Sequence, residues 1–234
     1  MKRFLVLLGL MFFVLGTAAD AYQVEVVSSE TAAKIQGKIS DIGFRVLNAN
    51  GIEKRMTFYY DTSKDINAVT YGRDRQIKFY RGLYNMLSDE AEIAAVLSHE
   101  ISHGVDSYNG AFRGFFEGWG RLILPPVGKS CEYRADKRAV DYMVNAGYNP
   151  VAMIVAMSKC FPQQRYDWLS THPLTSRRMM TVYEYIYKKY PEYLVNNSYK
   201  NNPYYQNFLL TSKSNRAKFQ KKIESNSKKS PSYL

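Results

Sequence analysis

From residue 43 to residue 80 the chain alternates apolar and polar side chains in short runs, and from residue 88 onward the apolar positions fall three and four apart. Alternation puts successive side chains on opposite faces of a strand, whereas the wider spacing draws one stripe along a helix. The first pattern predicts strands over 43–49, 54–60, 67–72 and 76–80. Asn50-Gly51 splits the first two and Gly72-Arg73-Asp74-Arg75 the last two. An extended run at 23–27 and a helix from about Ser29 to Ile39 precede them. In the second pattern Ser88 caps a helix with acids in its first turn and Ile93, Val96, Leu97 and Ile101 as its stripe. Further helices are predicted over 132–146, closed by Gly147, over 151–159, and from Thr175 or Ser176 to about Tyr190. A small sheet followed by helices is an α+β order.

The chain has 234 residues, 46% of them hydrophobic, which suffices for one packed core and little more. The expected organisation is a signal peptide at 1–21, one folded domain at 22–195 and a basic, loosely ordered tail at 196–234. Lys2 and Arg3 precede an apolar run at 4–15, and Ala19-Asp20-Ala21 carries small residues where a signal peptidase reads. That predicts export to the periplasm. Residues 196–234 hold eight Lys or Arg and one Glu, with Tyr204-Tyr205 and Phe208-Leu209-Leu210 as docking points. An oxidising compartment and an even pair of cysteines predict a Cys131–Cys160 disulfide. The net charge of +11 is spread, and no basic helix carries base-reading side chains, which argues against nucleic acid as a partner. Contact with a membrane surface or an outer-membrane assembly partner stays open, as do the oligomeric state and the role of the glycine- and aromatic-rich segment 105–130.

One stretch carries chemistry. Ser98-His99-Glu100-Ile101-Ser102-His103 reads His-Glu-x-x-His on a predicted helix. Side chains four apart lie about 40° from one another around a helix, one turn up, so both imidazoles can face one ion. Neutral imidazole suits zinc, and the glutamate between them is angled to the same side, where it can act as a base on water. Two satisfied histidines on a half-buried helix would give the same letters. Two neighbours favour the metal reading: Glu132 and Asp136 share a helical face four apart, and Glu132 offers a third ligand. The chain has three histidines, and the third, His172, stands in Ser170-Thr171-His172-Pro173.

These blocks carry a family likeness. Asn67-Ala68 opening a strand, Gly82-Leu83, Asp89-Glu90 leading to the His-Glu-x-x-His helix, Glu132-Tyr133-Arg134-Ala135-Asp136 with Ala146-Gly147-Tyr148-Asn149-Pro150 after it, and Thr171-His172-Pro173 followed by Arg178 stand in the family's order. The chain resembles the zinc metallopeptidases of the CAAX prenyl protease and HtpX-like family, which are gluzincins, and in particular their soluble periplasmic branch. The likeness runs from about Asn67 to Met180. It implies a zincin-like domain: a small sheet with an edge strand for substrate, the His-Glu-x-x-His helix and a second metal-ligand helix.

The resemblance also implies roles. One Zn2+ per chain would sit on His99, His103 and Glu132, with Glu100 as general base and Asp136 orienting a ligand histidine. His172 and Arg178 would hold the charged oxygen of the tetrahedral intermediate, or His172 would close the site at rest. Gln76, Ile77, Lys78, Phe79 and Tyr80 are read as the edge strand to which a protein or peptide substrate adds through main-chain hydrogen bonds. The expected function is hydrolysis of peptide bonds in unfolded or misassembled envelope proteins. A client-binding protein of the same fold and a zinc amidase acting on cell-wall material are the alternatives.

Overall fold

The computed structural model describes residues 28–71, 75–108, 125–160, 175–226 and 233. The expected signal peptide, most of the segment 105–130 and the loop with His172 lie outside the described residues.

Helix α1 spans Ser29–Ala49, so the strand expected over 43–49 is the second half of a helix. Ile39, Ile42, Val46 and Leu47 are buried and continue one helical stripe. Gly43 interrupts that stripe because the Phe58 ring lies against it: a Cβ there would stand 2.4 Å from the ring. Asn50-Gly51 is a helix end rather than a hairpin turn. Gly51 has φ +57°, its N–H donates to Asn48 O at 3.2 Å, and the Ile52 N–H donates to Leu47 O at 3.0 Å. The dipeptide suits both structures because each needs a left-handed residue.

The sheet has three strands, β1 (Thr57–Asp61), β2 (Ala68–Tyr71) and β3 (Gln76–Tyr80), in the order β1-β3-β2. β3 pairs parallel with β1 and antiparallel with β2. This corrects the expected edge: Gln76, Ile77, Lys78, Phe79 and Tyr80 form the central strand, with a neighbour on each side. Ile77 and Phe79 are both fully buried, as a central strand over a core requires. The outer edge of β1 is covered by one side chain of α1. Gln36 Nε2 donates to Phe58 O at 2.8 Å, and the Tyr60 N–H donates to Gln36 Oε1 at 2.7 Å. Beyond β2 no further strand pairs among the described residues.

Helix α2 (Arg81–Met86) leads into α3 (Glu90–Tyr108), which packs on the sheet, on α1, on α4 (Pro125–Asn145) and on α5 (Val151–Cys160). All of residues 151–157 are buried, so α5 is apolar on every face and must be enclosed on every face. α3 and α6 (Thr175–Lys189) cover part of it.

The C-terminal segment covers the rest, which corrects the expectation of a loosely ordered tail. After the short α7 (Glu192–Val195), helices α8 (Pro203–Thr211) and α9 (Lys213–Glu224) fold back, and α8 packs on α5. Tyr205, Phe208 and Phe219 are buried, and the Tyr199 hydroxyl donates to Asp89 Oδ2 at 2.7 Å at the start of α3. Lys200, Lys213 and Lys221 are exposed, whereas Lys222 turns in to Glu184 at 3.0 Å and Arg216 donates to the Leu209 carbonyl at 2.7 Å. Phe208 is 2% exposed and lies 5.7 Å, ring to ring, from Tyr183 of α6. Phe208→Ala is expected to cost about 3–5 kcal/mol of stability, read as a shift in the urea midpoint of the full chain.

Candidate metal centre

Three elements meet behind the sheet. α3 brings His99, Glu100 and His103, α4 brings Glu132 and Asp136, and α6 brings Arg178. His99, Glu100, Glu132, Asp136 and Arg178 are all buried, which polar groups tolerate only when partnered. The contacts among them are short. His99 Nε2 lies 3.1 Å from His103 Nε2 and 3.5 Å from Glu132 Oε2, while His103 Nε2 lies 3.2 Å from Glu132 Oε1. His99 Nδ1, on the other side of the ring, lies 3.0 Å from Asp136 Oδ1.

This donor set fits zinc. Bonds of about 2.0–2.1 Å at tetrahedral angles put ligand atoms roughly 3.3 Å apart, and the three separations here run from 3.1 to 3.5 Å. Among the described residues this is the one group of three such ligand atoms within 4.8 Å of one another. Two imidazoles and one carboxylate leave a fourth position for a reactant.

The electrostatics agree with a site built for a cation. Burial opposes charge on His99, but hydrogen bonds to Asp136 and Glu132 outweigh it and push the imidazole up to about 10. Asp136 is held below the usual carboxylate range: burial opposes this, and the Arg178 guanidinium more than compensates. Arg178 Nε donates to Asp136 Oδ2 at 2.7 Å and Nη2 donates to Oδ1 at 2.6 Å, a bidentate fork, with Nη1 3.0 Å from Glu132 Oε2. α3 and α4 are clamped a second time through Asp106, which accepts from Arg134 and Arg138 at 2.8 Å each.

The sequence model of peptidase family M48 matches residues 33–109 and 109–186, well over half of the chain. This chain belongs to peptidase family M48. The family comprises zinc metallopeptidases, and the α+β order with His99, His103 and Glu132 converging is the arrangement such a peptidase needs. Among curated proteins, the β-barrel assembly-enhancing protease of Yersinia pestis is 25% identical over 184 residues, covering 60% of this chain and 37% of the relative. Its namesake in Escherichia coli (strain K12) is 23% identical over 179 residues, with the same two shares. The M48 chain thus spans little more than a third of the length of these curated relatives.

Of the residues expected at the site, the structure brings together His99, Glu100, His103, Glu132, Asp136 and Arg178. His172 lies outside the described residues. Arg178 stands behind the ligands, on Asp136 and Glu132. Gln76–Tyr80 is displaced to the sheet centre. Cys131 and Cys160 are free thiols, not the expected disulfide. Cys131 lies beside Arg134, whereas Cys160 lines a cavity at the end of α5, where burial pushes its thiol up to about 12.

One residue was missed. Thr70 of β2 lies in the same inward row as Ile77 and Phe58, opposite α3. Its hydroxyl lies 2.6 Å from Glu100 Oε2 and 2.8 Å from the Glu100 carbonyl. The period-two pattern put Thr70 on the face of Ala68, but only the three-dimensional pairing shows which helix residue it meets.

The Asp136 contact to His99 fixes which ring nitrogen faces the other donors. Asp136→Asn is expected to weaken zinc binding about 10–100-fold, read by competition with a chromogenic chelator, with the fold kept by circular dichroism.

Proposed function

We propose that this M48 chain is a zinc endopeptidase that hydrolyses extended segments of unfolded or misassembled envelope proteins. The observation that carries the reading is Glu100, a buried carboxylate that lines the same cavity as the donor His99 and is fixed by Thr70. Zinc held by His99, His103 and Glu132 would supply Lewis acidity to the scissile carbonyl and to the attacking water.

The chain's own residues do the rest. Glu100 takes the proton from the attacking water and passes it to the leaving amine. The Thr70 hydroxyl holds the Glu100 carboxylate, so the base is already oriented when substrate arrives. Asp136 keeps His99 Nε2 turned toward the other donors. Arg178 balances the Asp136 and Glu132 carboxylates, and we assign it this supporting role in place of direct contact with the substrate oxygen. His172 is kept as the candidate for holding that oxygen.

A peptide adds to β2, the edge that no strand occupies among the described residues. β2 ends at Tyr71, and Ala68 and Thr70 face α3, so a peptide lying along this edge runs past Glu100. The requirement for an extended segment makes unfolded chains the natural substrates. The envelope assignment is supported by the predicted signal peptide and by relatives named for enhancing β-barrel assembly. No helix among the described residues is long and apolar enough to cross a membrane.

The test is cleavage of an unfolded protein by the chain loaded with zinc. Activity is expected to vanish with a chelator and in Glu100→Gln, while Glu100→Gln still binds about one zinc per chain. Zinc bound without any cleavage by the unaltered chain would refute the peptidase reading. Thr70→Val is expected to lower kcat roughly tenfold, about 1.4 kcal/mol of barrier, and Thr70→Ser to restore most of it, at unchanged zinc content.

A further inference from the structure

Beside the metal centre lies a cavity whose lining falls into two kinds. One wall is apolar apart from Asn67: Ile66 just before β2, Ala68 at its start, Val96 from α3, and Met153, Met157 and Cys160 from α5. The charged lining is His99, Glu100 and Arg178, which are residues of the metal centre itself. A cavity that shares its polar wall with the base and a metal ligand opens onto the reacting bond. Whatever enters it is therefore part of a residue flanking that bond.

We infer that this cavity is the specificity pocket of the enzyme, and that it takes one uncharged aliphatic side chain, Leu, Ile or Met, next to the scissile bond. The inference rests on the peptidase reading and adds to it the sequence the enzyme prefers.

Size and chemistry both enter. The cavity measures about 60 Å3. A water-sized atom needs roughly 10–15 Å3 by this measure, so there is room for about four to six such atoms. Leucine, isoleucine and methionine side chains each carry four heavy atoms, phenylalanine carries seven, and tryptophan ten. An anionic side chain would find no free counter-charge, and a cationic one would meet only Glu100, the carboxylate the reaction itself uses as its base. Arg178 is balanced by Asp136 and Glu132, and Lys159, next to Cys160, is 2.7 Å from Glu92 and turned into the protein. Burying a charge there would forfeit its hydration without a free partner in return. The Cys160 thiol is protonated, since burial raises it, and so behaves as a small apolar wall atom.

The two methionines add a further property. Met153 and Met157 are 3% and 4% exposed, and both line the cavity. Thioether side chains repack at low cost. The pocket therefore tolerates Leu, Ile and Met alike and distinguishes them chiefly from small, charged and bulky aromatic side chains.

Two measurements test this. In the first, the unaltered chain digests an unfolded protein and the product ends are sequenced by mass spectrometry. Leu, Ile or Met is expected at one fixed position beside the cut, with kcat/KM for Leu roughly 10–100-fold above Ala in matched peptides. Met157→Ala enlarges the pocket and is expected to move the preference toward Phe. Ala156→Leu, which fills it, moves the preference toward Ala. Cleavage with no favoured residue at any position, or a Met157→Ala profile identical to that of the unaltered chain, would overturn the pocket while leaving the peptidase reading intact.

The second measurement needs no turnover. The methyl resonances of Met153 and Met157 are followed in methionine-labelled Glu100→Gln while peptides with Leu or Asp at the central position are added. The Leu peptide is expected to shift both methyls and the Asp peptide neither. Equal shifts, or none with either peptide, would remove the pocket. Selective shifts in a chain whose unaltered form cuts nothing would keep the pocket and sink the peptidase reading.

Discussion

The buried charge network of His99, Glu132, Asp136 and Arg178 is the constraint to which the rest of the molecule answers. These four side chains come from α3, α4 and α6 and are almost entirely removed from water. Removing ionic groups from water is costly, and only close, well-directed partners offset that cost. The bidentate fork of Arg178 on Asp136, with the third nitrogen facing Glu132, supplies such partners from a separate helix. The three helices therefore have one mutual arrangement in which all the charges are met. That arrangement also brings the two histidines and Glu132 to metal-binding separation. Folding and preparation of the site are the same event.

A helix carrying so much polarity cannot also supply the bulk of the core. Apolar mass comes from elsewhere, chiefly from α5, whose residues 151–157 are buried throughout. A helix of that kind needs cover on all sides, and the C-terminal helices provide it. The described residues beyond 196 are thus part of the same folding unit as the metal centre. They press α5 onto α3, and they reach α3 directly through Tyr199 and Asp89.

The site was largely legible because its signals are local. Four-residue spacing on a helix fixes the relation of His99 to His103 and of Glu132 to Asp136 whatever the rest of the chain does. The family likeness then joined the two helices. What failed was non-local or ambiguous. Sheet order depends on which strand returns to pair with β3, and no pattern within Gln76–Tyr80 encodes its neighbours. The second half of α1 has the sequence of a strand because Gly43 and the Asn50-Gly51 pair suit both states, and the Phe58 ring that explains Gly43 lies on another element. The Thr70 contact to Glu100 depends on strand pairing and helix placement together. Averaged composition hides the C-terminal helices, because Tyr205, Phe208 and Phe219, which carry their packing, stand among many lysines. The all-round apolar run of α5 was a sign that a cover was missing.

The Gln36 amide on the edge of β1 has a bearing on turnover. Its carbonyl and amino groups satisfy the Tyr60 N–H and the Phe58 carbonyl, the groups to which a foreign strand would otherwise attach. A vacant sheet margin binds extended chains wherever it lies, and one held far from Glu100 would stay uncut. On the proposed reading, blunting the far margin leaves an incoming chain the near one, alongside Glu100. A single glutamine of α1 would then keep the enzyme from competing with itself for its own substrate.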